Sequence, residues 1–261
     1  MPITFSDVYA GYRRRSYVLK GVSCTIEPRT IVLGPNGAGK TTMFRVILGL
    51  TPVARGVVEI DGRNINKIYG EPGIVSTNIE TVWWLLRLPI VDIARLYIDI
   101  VGGDLDKFLS LIEMFKIKHV LRKRLDRLSA GEKRIVLNSL ALSLNTKYVL
   151  LDEPFENLDP RARARMLELI LEHSNRVVMN THATWLLDKL RGWKAMIMVS
   201  GRVFGSIDAS ILPNLGIVEG HDSKAKLVIE VEGKKLSLVE GAGHPISRMD
   251  SLDRLYEMVI T

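Results

Sequence analysis

The sequence has no glutamine and a single cysteine, Cys24, among its 261 residues. One cysteine excludes an internal disulfide and a thiolate zinc cluster, and fits a reducing compartment. A lone thiol of this kind is expected to pack as a small apolar residue. The absence of glutamine beside 36 Lys plus Arg resembles hyperthermophile composition, with many charges and few thermolabile amides. No stretch approaches the ~18 apolar residues of a membrane span. The nearest, Ile135 to Leu151, is interrupted by Asn138, Ser139, Ser143, Asn145 and Lys147. No signal-peptide core follows the first residues, which read as a strand. A membrane process served by this chain therefore needs spans from another chain. Aromatic residues make up 7% of the composition, and none interleave with the basic clusters as a base-stacking surface requires.

Apolar residues, at 47%, suffice for a buried core and exclude general disorder. The length suggests one or two domains. A net charge of +7 comes partly from Arg13-Arg14-Arg15, from Arg122-Lys123-Arg124 with Arg127, and from Arg161, Arg163 and Arg165. Such clusters either attract anions or form a solvated surface.

Short apolar runs predict buried strands at Ile31–Leu33, Lys147–Asp152, Arg176–Asn180 and Ala195–Val199, with paired strands before residue 30 and another over Gly56–Asp61. Helical spacing over 43–50, 105–115, 129–144, 161–173 and 185–190 alternates with them. The fold class is therefore α/β, a mixed or parallel central sheet with antiparallel N-terminal strands. Residues from about 79 to 140 read as an inserted helical subdomain. After Pro213 the texture changes to a hairpin across Glu232-Gly233-Lys234 and a short helix over 251–258. The boundaries expected are 1–212 for the main domain and 213–261 for a small α+β appendage.

Three motifs carry chemistry. Gly34-Pro35-Asn36-Gly37-Ala38-Gly39-Lys40-Thr41-Thr42 follows a strand and opens a helix, the context that confirms a phosphate-binding loop. Glycines let successive amides face the oxygens of a triphosphate, and the helix N-terminus adds its dipole. Lys40 is placed to reach the β- and γ-phosphates and Thr41 to offer a hydroxyl to Mg²⁺. Tyr148 to Pro154 is an apolar strand ending in Asp152 and Glu153. With a phosphate loop in the chain, these carboxylates suit a Mg²⁺ ligand and a general base; without one they are solvated acids. Leu128-Ser129-Ala130-Gly131-Glu132 is a capping box in its own right, yet it lies 23 residues before Asp152.

In this order Gly34–Thr42, Leu128–Glu132, Leu151–Pro154, Asn157-Leu158-Asp159 and Thr181-His182 resemble the ABC-type ATPases over about residues 1–212. The resemblance implies a P-loop NTPase fold of ABC type that binds and hydrolyses ATP with Mg²⁺. It implies a phosphate cradle of Asn36, Gly37, Ala38, Gly39, Lys40, Thr41 and Thr42, and head-to-tail pairing in which Ser129 and Gly131 meet the partner's γ-phosphate. It implies Glu153 as base, His182 as the γ-phosphate sensor and Asp159 as the link across the pair. Asp159 equally suits a cap on the helix that begins at Pro160. Tyr12, 28 residues before Lys40, resembles the adenine-stacking aromatic, with Tyr9 and Tyr17 as rivals.

The chain departs from the family where the usual Q-loop glutamine is missing. By spacing, Asn78 replaces it, a candidate nucleotide and Mg²⁺ contact on a shorter stem. Ala130 and Glu132 replace a glycine and the glutamine of LSGGQ, and the turn Glu27-Pro28-Arg29-Thr30 lacks its common glycine. Val82-Trp83-Trp84-Leu85-Leu86 either anchors the helical part or lines a docking groove. The best expectation is the ATP-binding subunit of an ABC transporter on the cytoplasmic face of the membrane. It works with a partner ATPase, identical or paired, and a separate transmembrane permease, without direct nucleic-acid contact. The alternatives are a soluble ABC ATPase acting as a nucleic-acid or ribosome switch, and a non-hydrolysing regulator. With 88 residues between Lys40 and Ser129 and no sustained heptads, the long coiled coil of the repair type is absent.

Overall fold

The structure, a computed structural model, describes residues 2–12, 16–83 and 87–246. Arg13–Arg15, Trp84 and the helix expected over 251–258 lie outside them. In chain order the elements begin with β1 (Ile3–Ala10), β2 (Leu19–Ile26), β3 (Thr30–Leu33), α1 (Lys40–Ile47), β4 (Val53–Ile60), β5 (Arg63–Asn64) and α2 (Ile65–Ile68). There follow β6 (Val75–Thr77), α3 (Glu80–Trp83), α4 (Ile90–Val101), α5 (Leu105–Met114), α6 (Ala130–Ser143), β7 (Tyr148–Asp152), α7 (Pro160–Glu172) and β8 (Val177–Thr181). The chain continues with β9 (Lys194–Val199), β10 (Arg202–Asp208), β11 (Leu215–Glu219), β12 (Leu227–Val231), β13 (Lys234–Glu240) and β14 (His244–Pro245). These elements form two compact units, one of Gly70–Met179 and one of the residues before and after that segment.

In the unit that carries both ends of the chain, β2-β1-β4-β5 form an antiparallel sheet. The β4–β5 turn has Asp61 and Gly62 at φ 56 and 73, the two left-handed residues of a tight hairpin. β3 pairs in parallel with β9, Leu33 opposite Ile197, and β9 pairs antiparallel with β10. All four residues of β3 are buried. Arg29, before it, stands at φ 63, so the turn keeps the left-handed backbone that a glycine would take more easily. β12-β13-β11-β14 form a second antiparallel sheet, with Glu232 and Gly233 at φ 53 and 83 in the expected hairpin. The helix expected over 185–190 is only a 3₁₀ turn, Leu187–Lys189, because so short a segment cannot offset helix nucleation.

In the unit of 70–179, β6 and β7 pair in parallel, Thr77 opposite Leu150, and β8 lies beside β7. Its helices share a core of Trp83, Ile90, Ile93, Phe108, Ile112, Val136, Leu140 and neighbours. Trp83 is 2% exposed, donates Nε1–H to the Thr77 carbonyl at 3.1 Å and packs on Tyr97. It is an anchor of the helical part. α6 carries no apolar stripe, because Ile135 to Leu144 are all buried, Asn138, Ser139 and Ser143 among them. Arg176 donates to the carbonyls of Leu142 and Leu144 at 2.6 Å each, and Lys107 to Leu142 at 3.0 Å. Two cations thus cap the C-terminal carbonyls of α6.

Candidate functional site

The phosphate loop leaves β3 at Gly34, where a Cβ would lie 2.2 Å from the Met198 carbonyl of β9. Only glycine fits that approach. Gly37 and Gly39 have φ 78 and 108, and nothing within 4 Å would meet a Cβ at Gly37. Glycine at 37 is therefore demanded by the backbone, with open space above it for a ligand. Asn36 and Gly37 are exposed, Ala38 and Gly39 buried. α1 starts without a side-chain cap, and its first-turn amides point out past its N-terminus, a geometry that suits an anion. Lys40 is 5% exposed and its ammonium donates to the carbonyls of Gly34 and Pro35 at 2.7 and 3.0 Å. A phosphate that takes this ammonium exchanges neutral acceptors for a charged one.

Thr41 is exposed and Thr42 buried. Thr42 Oγ1 is 3.0 Å from the Tyr12 hydroxyl. The Tyr12 ring is 59% exposed, with the Arg45 guanidinium 5.7 Å from its centroid. It is thus tied to the phosphate-loop helix. The rivals Tyr9 and Tyr17 pack edge to face at 5.6 Å, and Arg55 sits over Tyr9. His182 follows Thr181 at the end of β8 and is half-buried.

In the other unit, Asp152 closes β7 and Glu153 follows at φ 43, a left-handed backbone rare for glutamate. Asn78 is expected to reach toward nucleotide and metal; in the structure its carboxamide lies against the end of β7. Its side chain is buried at 1% exposure, with Oδ1 accepting from Asp152 N–H at 2.7 Å. Its Nδ2 donates to the Asp152 carbonyl at 2.9 Å and to Asn138 Oδ1 at 2.7 Å. The shorter stem brings the carboxamide against the end of β7, and both donors are engaged there. Asn138 and Arg134 went unread in the sequence, although Asn138 was visible as a polar break in an apolar run.

The capping box forms as expected. Ser129 Oγ accepts from Glu132 N–H at 3.3 Å, and Glu132 Oε2 accepts from Ser129 N–H at 2.8 Å. That backbone bond, then the His119 ring on Oε1, hold the Glu132 carboxyl at about 2. Gly131 has no room for a side chain, since a Cβ would be 2.7 Å from the Asn157 carbonyl. Asp159 caps α7, accepting from the amides of Arg161 and Ala162 at 2.9 and 3.0 Å. Cys24 is half-buried and its thiol is pushed up to about 12 by burial, away from the thiolate form that a nucleophile needs.

A family model described as ABC transporter matches residues 19–156. The chain belongs to the ABC transporter family. It is 34% identical over 186 residues to the lipopolysaccharide export system ATP-binding protein LptB of Haemophilus influenzae, covering 67% of this chain and 76% of that protein. It is 30% identical to the energy-coupling factor transporter ATP-binding protein EcfA of Carboxydothermus hydrogenoformans, covering 83% and 86%. A crystal structure named for a cobalt transport ATP-binding protein (cbiO-2) matches with a TM-score of 0.90 at 33% identity, over 98% of this chain and 100% of that one. As an ABC ATPase the chain is an ATP-binding, ATP-hydrolysing protein of the transporter class. Among the described residues no helix is long and apolar enough to cross a membrane. Nor, among them, does any group of three His, Cys, Asp or Glu suit a metal ion. That is compatible with Mg²⁺, which takes one or two carboxylates and completes its set with phosphate and water.

Proposed function

We propose that this chain is the nucleotide-binding subunit that powers a separate transmembrane permease, peripheral on the cytoplasmic face of the membrane and paired with a second ATPase of its kind. The observation that carries the reading is the glycine loop of Gly34–Thr42 on its strand–helix frame, in a chain of this family. Residues 1–212 act as the ATPase domain, with the helical subdomain of about 79–140, and 213–261 as an appendage; β11–β14 forming their own sheet supports the latter.

The amides of Asn36 to Thr42 cradle the phosphates and Lys40 binds the β- and γ-oxygens. Tyr12, fixed by Thr42 and Arg45, presents its exposed ring to adenine. Thr41 and Asp152 hold Mg²⁺, which when bound with ATP neutralises phosphate charge. Glu153 takes the proton of the attacking water, and His182 orients that water against the γ-phosphate. Ser129 and Gly131 serve the nucleotide of the partner, and Asp159 links the two.

ATP turnover by the full chain with Mg²⁺ tests this. Glu153→Gln is expected to lose turnover by about 10²-fold or more while still binding ATP. Wild-type turnover in that variant removes Glu153 from the role. Membrane fractions holding the permease should retain the chain, whereas ribosome or DNA fractions should not.

A further inference from the structure

We infer that Asn78 and Asn138 form a buried carboxamide clasp that positions Glu153 for hydrolysis. The inference rests on Glu153 being the base in the reading above. β6 pairs with β7 up to Thr77 opposite Leu150, and the last backbone rung is Asn78 N–H to the Leu150 carbonyl at 3.4 Å. β6 ends at Thr77, two residues short of covering Asp152. The Asn78 side chain supplies the missing rung. A carboxamide carries one acceptor and a donor beside it, as a peptide does, and here it engages both the N–H and the C=O of Asp152, at 2.7 and 2.9 Å.

The remaining Nδ2 hydrogen of Asn78 goes to Asn138 Oδ1 at 2.7 Å, and Asn138 Nδ2 donates to the Pro154 carbonyl at 2.8 Å. The residues on both sides of Glu153 are therefore held, and Arg134 adds a second bond to the Asp152 carbonyl at 2.9 Å. Glu153 between them has φ 43, a backbone that persists only where its surroundings over-determine it. The direction of each amide is fixed, because Asp152 N–H can only donate and the two carbonyls can only accept. Asn138 is 0% exposed on a helix whose neighbours Leu137 and Leu140 are apolar core. Packing alone would favour an apolar residue at such a position. Its carboxamide is accounted for by the loop it fastens. Both asparagines are positioning residues, since neither is placed to touch the reacting atoms.

The test uses the full chain with ATP and Mg²⁺. Asn138→Leu keeps the branched outline of the side chain and removes the link to Pro154; Asn78→Ala removes the rung at Asp152. Each is expected to lower kcat about tenfold or more with KM for ATP within about twofold, the pattern of a misplaced base rather than a lost binding contact. Hydrogen exchange at the Asp152 amide should quicken in Asn78→Ala while that of the Phe108 and Ile112 amides stays at the wild-type rate. Wild-type kcat in both variants, in a chain that Glu153→Gln inactivates, overturns the clasp and leaves the base in place. Loss of kcat together with raised KM and a lower Tm reduces the asparagines to structural residues and likewise overturns it. Unchanged Asp152 exchange in Asn78→Ala shows that the rung does not exist. Full turnover in Glu153→Gln sinks the base reading instead, and the catalytic meaning of the clasp with it.

Discussion

At the scale of single residues, the departures from the family pattern turn out to be local physical solutions. Glu132, in the place of a glutamine, closes a capping box and pairs with His119. Its carboxyl stands at about 2 against an ordinary 4.5, because of the Ser129 backbone bond first and His119 second. The unfolded chain therefore binds this proton first as pH falls. The stability it contributes is whole above pH 4.5 and is lost as pH falls toward 2. Glu132→Gln should flatten that acid limb, read as the difference in denaturant midpoint between about pH 6 and about pH 3. Gly131 is fixed by sterics, a Cβ lying 2.7 Å from Asn157 O. Gly131→Ala should cost on the order of 1–3 kcal/mol in chemical denaturation. Arg29→Gly should instead stabilise by about 1 kcal/mol, since φ 63 strains a residue with a Cβ. The site was legible at residue level wherever a motif fixes the backbone, as at Gly34, Lys40 and Ser129. The bonds of Asn78 to Asp152 were not legible, because no motif announces a side chain that continues a strand ladder.

At the scale of elements, strands and capped helices were readable because each carries its own signal. Ser129 and Asp159 mark the starts of α6 and α7, and both act as caps. Tight turns at Asp61-Gly62 and Glu232-Gly233 were visible from their residue types. β10 and β11 were missed, since β10 has no apolar run and β11 is defined by a partner, β13, some way along the chain. The end of α6 near residue 144 was readable, but its cap was not, for the cap comes from Lys107 and Arg176 and not from the next residues. His173 is part of that arrangement: its Nδ1–H donates to Leu169 O at 2.8 Å, leaving Nε2 to accept from Lys107 at 2.6 Å. Burial lowers its pKa, which keeps the ring in this neutral form. Arg176→Leu removes partners from buried carbonyls and should destabilise by about 2–4 kcal/mol, seen as a lower urea midpoint at unchanged m.

At the scale of the whole molecule, the sequence order of five motifs announced an ABC ATPase, and family, relatives and fold agree. The use of ATP by a pair of cassettes gives a further expectation. Glu153→Gln with ATP and Mg²⁺ should sediment as a dimer, and return to monomer when ATP is removed; a monomer under both conditions speaks against pairing through the nucleotide. One feature of the interior also bears on the lifetime of the protein. In a chain without glutamine, Asn78 and Asn138 are kept, sealed from water and hydrogen-bonded. Heat deamidates asparagine, and an oxygen in place of the Asn78 nitrogen would face the Asp152 carbonyl and Asn138 Oδ1, two acceptors it now serves. The same loss at Asn138 would set a carboxylate against Pro154 O. Burial thus acts here as a preservative of the two amides on which the segment from Asp152 to Pro154 depends.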